Sequence, residues 1–100
     1  MDHNQAEFKN DSLLVKELTA GNILAFNSLF RKYGNRLYRF SYGYLKSQEE
    51  SEELVQEVFT RIWERRGDLK EELSFKSYLF TIAFNIIRKH FKTQALISEY

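Results

Sequence analysis

Residues 51–63 read Ser51-Glu52-Glu53-Leu54-Val55-Gln56-Glu57-Val58-Phe59-Thr60-Arg61-Ile62-Trp63, and their apolar members fall in pairs: Leu54/Val55, Val58/Phe59, Ile62/Trp63. A beat of three to four residues is that of an α-helix with one buried stripe. At about 100° per residue, Glu49, Glu53, Gln56, Glu57, Thr60 and Glu64 project to the opposite side. The stretch therefore predicts a helix with an apolar face for a core and an acidic, Gln-bearing face turned outward. In an isolated helix such an outer face is most simply a solvated surface.

Just upstream, Ser47-Gln48-Glu49-Glu50 has the form of a capping box that starts this helix. Arg65 and Arg66 fall in its last turn and Gly67 ends it. Acids first and bases last complement the helix dipole, so helix stability alone accounts for the acidic N-terminal half. Gln56, Glu57 and Thr60 lie beyond that account.

Further out, Asn22 can cap a long helix over residues 23–45. Phe26, Leu29, Phe30, Tyr33, Leu37, Phe40 and Tyr44 form its stripe at i, i+3, i+4, i+7 spacing. Gly34 lies within it at a cost of about 1 kcal/mol relative to Ala, as a bend or a close packing contact requires. The chain has no proline, which favours long unbroken helices. Off the stripe lie Arg31, Tyr38, Arg39, Tyr42 and Lys46, a basic face with aromatics interleaved. It suits phosphate contacts and base stacking, or equally tyrosines packed over neighbouring elements.

On the other side, Gly67 to Ser74 is a short polar connection, and Ser74 caps a last helix over residues 75–92. Phe75, Leu79, Ile82, Ala83, Ile86 and Ile87, widened by Phe80, Phe84 and Phe91, make that helix apolar around most of its circumference. One polar strip remains, Ser77, Thr81, Asn85, Arg88 and Lys92, with Tyr78 bordering it. A mostly buried helix with such a strip has the form of a recognition surface; the plain alternative is a core helix whose wet side happens to be polar. At the other end of the chain, Asp11 or Ser12 can cap a short helix over residues 13–19 that stops at Gly21. Residues 1–10 show no periodicity and are expected to be flexible.

One hundred residues make a single domain. The hydrophobic and charged fractions, 43% and 29%, place it among ordinary globular chains rather than disordered or membrane ones. The absence of cysteine excludes a disulfide framework and cysteine-ligated zinc and fits a reducing compartment. No apolar run reaches the roughly 20 residues of a membrane span, and MDHNQAEFKND has no signal-peptide pattern. A cytoplasmic protein with no membrane partner is expected. Net charge is only +1, but the signs are blocked. Residues 31–46 carry Arg31, Lys32, Arg36, Arg39 and Lys46 without an acid, residues 47–66 carry six Glu against three Arg, and residues 75–92 carry four Lys or Arg without an acid. Opposite patches on one small domain point to two different partners.

The quoted stretch also resembles a known pattern. Ser51 to Trp63 is similar to the signature helix of bacterial sigma-70 family transcription initiation factors of the extracytoplasmic-function (ECF) group. That pattern runs roughly Ala-Glu-Asp-Leu-Val-Gln-Glu-Val-Phe, then an apolar residue and Trp; Ser51 replaces the small Ala and Glu53 the Asp. Phe75, Leu79, Ile82, Ala83 and Asn85 resemble the later family pattern Phe-Arg-x-Trp-Leu, then Ile-Ala-x-Asn, with Tyr78 in place of Trp. Ala25-Phe26, Leu29 and Tyr33 resemble its opening helix. The likeness covers about residues 12–92.

This resemblance implies the all-α promoter-binding domain called region 2, a compact bundle of three long helices plus a short N-terminal helix. Residues 11–92 would form the domain, after the flexible 1–10. Residues 93–100 would begin a linker to a C-terminal helix-turn-helix domain that ECF factors carry and this chain does not resemble anywhere. The resemblance further implies that Glu53, Gln56 and Glu57, with Thr60 and Trp63 as neighbours, dock on the clamp helices of the largest RNA polymerase subunit. Acids with a Gln amide suit a basic, polar coiled coil. The 67–74 connection with Ser77, Tyr78, Thr81 and Asn85 would hold the non-template single strand of the minus-ten promoter element, a flipped base needing an apolar wall and hydrogen-bonding groups. Arg36, Arg39, Arg88, Lys89 and Lys92 would hold phosphates without reading sequence. An inhibitory anti-sigma partner is expected, as many relatives have one. Strand separation would draw on binding energy alone, without a cofactor.

An enzyme is the least supported class. The chain has no thiol and no glycine-rich phosphate loop, and His3 and His90 stand far apart. The Glu cluster lacks a His or Asp at metal-ligand spacing. The stronger alternative is a helical adaptor that binds only protein and ignores single-stranded DNA.

Overall fold

A computed structural model describes residues 3–98, with side chains described from Asn10 to Ile97. Four α-helices follow one another: α1 His3–Thr19, α2 Ile23–Leu45, α3 Gln48–Glu64 and α4 Phe75–Ser98, with a 3₁₀ turn at Arg66–Asp68. The described residues contain no strand.

Each sharp corner has a local cause. α1 stops where Gly21 takes φ +89 and its N–H donates to the Leu18 carbonyl at 2.8 Å, the left-handed ending that glycine adopts without strain. The Asn22 side chain then accepts from the Leu24 N–H at 2.9 Å, capping α2. α2 ends at Lys46, whose φ of 56 puts a residue with a Cβ in the left-handed region. Ser47 caps α3 through the Glu50 N–H at 3.2 Å. The Glu50 carboxylate, which a full capping box would turn back to Ser47, lies instead 3.8 Å from His90 on α4. Ser74 caps α4, accepting from the Ser77 N–H at 3.1 Å.

α2 is the central rod and touches each of the other three helices. Its buried residues Ala25, Leu29, Tyr33, Leu37 and Ser41 recur every four positions. α3 packs antiparallel to it, with Phe59 against Phe26 and Phe30. α4 runs parallel to it: Tyr33 meets Phe75, Phe40 meets Phe80 and Tyr44 meets Phe84, in ascending order along both helices. The core is closed by Val15 and Leu18 of α1, Leu54, Val58 and Ile62 of α3, and Leu79, Ala83 and Ile87 of α4. Ser41 and Ser51, both fully buried, stand at similar distances from the α2–α3 turn. Each satisfies its hydroxyl on the carbonyl four residues back, at 2.8 and 2.6 Å. Small side chains there let the two helices approach closely, which is why Ser can stand where the family pattern has Ala.

Four expectations need correction. The first helix does not start at residue 13 with Asp11 or Ser12 as its cap: it begins at His3. Asp11 is engaged sideways, 3% exposed, accepting from the Tyr33 hydroxyl and from Lys32 Nζ at 2.6 Å. Met1 and Asp2 of the expected flexible N-terminus lie outside the described residues. At the far end α4 does not stop near Lys92 but runs through residues 93–98, a stretch with no Gly or Pro to end it. α4 is also less buried than its composition implied. Phe84 and Phe91 are exposed, because the Phe75, Leu79, Ala83 and Ile87 row is fully buried, Phe80, Ile82 and Ile86 beside it only partly, and the rest of the helix faces outward. Finally, Gly34 marks no close contact: a Cβ there would meet the Phe30 ring at an ordinary 3.7 Å. Among the described residues no helix is long and apolar enough to cross a membrane.

Two substitutions test this framework. Asp11→Ala removes the acceptor shared by Tyr33 and Lys32 and is expected to lower unfolding free energy by about 2–3 kcal/mol in urea titration. Lys46→Gly relieves the left-handed backbone and is expected to raise it by about 0.5–1 kcal/mol.

Candidate functional site

Two surfaces carry chemistry beyond what the fold requires. The first is the outer face of α3. Glu49, Glu53, Gln56, Glu57, Thr60 and Glu64 are all exposed, while Leu54, Val55, Val58, Phe59 and Ile62 are buried. Glu57 pairs with Arg61 at 2.8 Å, one turn on, with both side chains nearly half exposed. Solvent screens such a pair, so it contributes little to folding and leaves the carboxylate open to a partner. Trp63 differs from its neighbours on this face. Its ring is half-buried edge-on against Phe26 at 5.3 Å and covered by the Arg66 guanidinium at 4.1 Å. Beside Gln56 opens a groove of about 630 Å³ between α2 and α3, lined by Arg31, Gly34, Tyr38, Glu52 and Val55 among others.

That groove divides the α2 residues that looked like one basic, aromatic face. Arg31 and Tyr38 belong with α3, and Tyr42 stacks on Tyr38 at 6.1 Å and 19°. Arg36, which is not part of that face, places its guanidinium 5.3 Å from the centre of the Tyr33 ring. Arg39 is exposed on the following turn.

The second surface is a cavity of about 400 Å³ where α1, the connection after α3 and the head of α4 converge. Its size lies within the range of roughly 300–1,000 Å³ typical of small-ligand pockets. Val15, Leu69, Leu73 and Phe75 give it apolar walls, and Ser77, Tyr78 and Thr81 bring hydroxyls to it. It is far more apolar than polar in lining, yet open to solvent beside Tyr78, which is 36% exposed. An aromatic edge, apolar walls and a few hydroxyls make a receptacle for a flat heterocycle: stacking on one side, hydrogen bonds at its edge.

From this cavity the exposed strip continues along α4. Asn85 stands one turn beyond Thr81, outside the cavity lining but exposed. Arg88, Lys89 and Lys92 follow, all exposed, with no acid on α4 between Phe75 and Ser98. The structure thus gathers Ser77, Tyr78 and Thr81 at the pocket and sets Asn85 and the cations along its exit. Three lining residues went unnoticed in the sequence. Leu69 and Leu73 sit four apart inside a connection that reads as polar, and Leu73, 62% exposed, is an apolar side chain no fold contact explains. Val15 carries no local signal at all, since its role depends on where α1 packs. Among the described residues no group of three or more His, Asp or Glu could hold a metal ion.

The chain is similar to known proteins. The profile of the family Sigma-70 region 2 matches residues 29–97. The ECF RNA polymerase sigma factor BldN of Streptomyces coelicolor is 33% identical over 80% of the chain and 31% of its own length. RNA polymerase sigma-H factor of Pseudomonas aeruginosa is 24% identical over 82% of the chain, and sigma factor CnrH of Cupriavidus metallidurans 26% identical over 78%. The chain spans between 31% and 42% of the length of these relatives. Among solved structures, an engineered region 2 of sigmaE determined by NMR in complex with GTAAAA superposes with a TM-score of 0.75 at 25% identity. The match covers 85% of this chain and 88% of that one.

The outer face of α3 is expected to be expendable for folding. Glu57→Ala should shift the unfolding free energy by less than about 0.5 kcal/mol in a thermal melt, the value of an exposed i,i+4 pair.

Proposed function

Because the chain belongs to the Sigma-70 region 2 family, we propose that it is a transcription initiation module that binds core RNA polymerase and captures the non-template single strand of the minus-ten promoter element. The observation that carries this is the cavity bounded by Tyr78 and by the connection that follows α3, opening directly onto a strip that ends in cations. A base that leaves its stack enters the cavity, with Tyr78 at its face and the Ser77 and Thr81 hydroxyls at its edge. Asn85, whose amide both donates and accepts, reads a neighbouring base as the strand leaves. Arg88, Lys89 and Lys92 on α4, with Arg36 and Arg39 on α2, neutralise phosphates and set the register without reading sequence. Melting is thermodynamic: the strand that fits the pocket is held, and the duplex opens by mass action with no covalent step. The module is a binder, not an enzyme.

Glu53, Gln56, Glu57 and Thr60 form the polymerase-facing surface. Their exposure on one side of α3, without a structural task, supports this role. Acids around a Gln amide complement a basic, polar coiled coil of the largest subunit and steer its approach. Trp63, half-buried on Phe26, borders that surface and holds its lower end in place. The same outward acids suit an anti-sigma protein that competes with polymerase for this face. Both proposed partners place the chain's work in the cytoplasm, where promoter DNA and polymerase are found.

Binding assays separate the two surfaces. Gln56→Ala with Glu57→Ala is expected to weaken capture of core polymerase at least about tenfold while leaving binding of single-stranded GTAAAA unchanged. Asn85→Ala should do the reverse, narrowing the preference for GTAAAA over a scrambled hexamer and leaving polymerase capture intact. Binding of the wild-type chain to GTAAAA should fall as salt rises. A chain that bound polymerase but ignored every single-stranded hexamer at low salt would be a protein adaptor, and the DNA assignment would be lost.

A further inference from the structure

The cavity is not built from the family-matched segment alone. α1 lies outside residues 29–97, yet it makes three separate contributions within a little over one turn. Val15, 2% exposed, forms part of the cavity wall. Ser12 donates its hydroxyl to the Glu71 carbonyl at 3.0 Å, a bond spanning 59 positions of sequence. Asp11 holds the hydroxyl of Tyr33, whose ring packs at 5.8 Å against Phe75, the residue that lines the cavity at the head of α4. Positions 11, 12 and 15 share one side of a helix. That side therefore faces the back wall, the floor and the connection over the cavity at once.

The outer turn of the connection, residues 70–73, has little else to hold it. The connection's backbone bonds are short-range: Asp68 N–H to the Arg65 carbonyl, Leu69 N–H to the Arg66 carbonyl, and Leu73 N–H to the Lys70 carbonyl. They shape two turns: the first, Arg66–Asp68, also touches α1 and α3, and Leu69 packs half-buried against the core, whereas residues 70–73 of the second are all exposed. A segment with few buried contacts and local bonds only is one that opens easily. Among the described residues the Ser12 bond links the outer turn to a packed helix.

We propose that α1 is the latch of this pocket: Ser12 pins the turn at residues 70–73 so that Leu69 and Leu73 meet Val15 and Tyr78 in a cavity formed before any base arrives. Ser12 touches no base and is a positioning residue. Its contribution is preorganisation, since a loop already ordered does not lose freedom on binding. This assignment rests on the base-binding role of the cavity given above. It adds a specificity-determining element that the matched segment does not contain.

Ser12→Ala and Ser12→Thr test it in the full chain, the second keeping the hydroxyl. Without DNA, hydrogen exchange at the Leu73 amide should quicken several-fold in Ser12→Ala and return toward wild type in Ser12→Thr, with Val58 in α3 unchanged. With DNA, the ratio of affinities for single-stranded GTAAAA over a scrambled hexamer should fall about three- to tenfold in Ser12→Ala, the worth of one hydrogen bond. Thr should restore it, and the salt dependence should not move. Unchanged Leu73 exchange in Ser12→Ala overturns the latch. So does faster exchange with undiminished preference for GTAAAA. A wild-type chain that prefers neither hexamer overturns the base-binding role itself, and the latch as a base-pocket device with it. That outcome is told apart from the first two because it shows in the unsubstituted protein.

Discussion

Tyr33 is the point on which the bundle depends. Among the described residues it is the largest fully buried side chain, and it joins α2 to two other helices by different means. Its place on α2 fills the core, its hydroxyl donates to Asp11 of α1, and its ring packs on Phe75 of α4. Lys32 and Arg36 lie over the same ring at 5.2 and 5.3 Å. A carboxylate as buried as Asp11 would be prohibitive alone, but here it accepts from a phenol and an ammonium together. Buried polar clusters of this kind favour one arrangement over others, because any slip leaves a donor or acceptor unmet. α1 and the start of α4 are thereby set against α2 in a single register, and the cavity lies where they meet.

The geometry of α3 explains how so small a domain presents two unlike surfaces. Its inner face is consumed by the core, so its outer face is free to carry acids. Its final turn is stitched by Arg66, which donates to the Trp63 carbonyl at 2.7 Å and covers the indole. The chain leaves that turn directly into the connection that walls the cavity. The acidic outer face of α3 and the cavity-forming loop are therefore consecutive in sequence, joined by the turn that Arg66 stitches. α4 then carries the strip away from the cavity at 1.5 Å per residue, so that Asn85 and the cations are offered in order along one line.

Much of the bundle was legible in advance. The limits of α2, the caps Asn22, Ser47 and Ser74, and the two-faced α3 follow from spacing and capping chemistry, which act within a few residues. So does the exposure of Gln56, Glu57 and Asn85. Several of the misjudged features depend on distant neighbours. Asp11 reads as a cap because Asp commonly caps, until Tyr33 claims it from 22 positions away. Phe84 and Phe91 read as core because they are apolar, although α4 lies at the edge of the bundle. Arg31 and Tyr38 read as part of one basic face, yet the α2–α3 packing makes them the lining of a groove beside Gln56.

By itself the sequence determined α2 and α3 with their amphipathic faces, the caps of α2, α3 and α4, and the membership that its motifs announce, because helical periodicity and capping are short-range physics. The tertiary structure alone decided which residues wall the pocket. Val15, Leu69, Leu73 and Phe75 become one wall only when α1 folds back across the start of α4. No residue in that wall is marked as a site by its own neighbours in sequence. A cavity is a property of the space between elements, and that space is defined by packing.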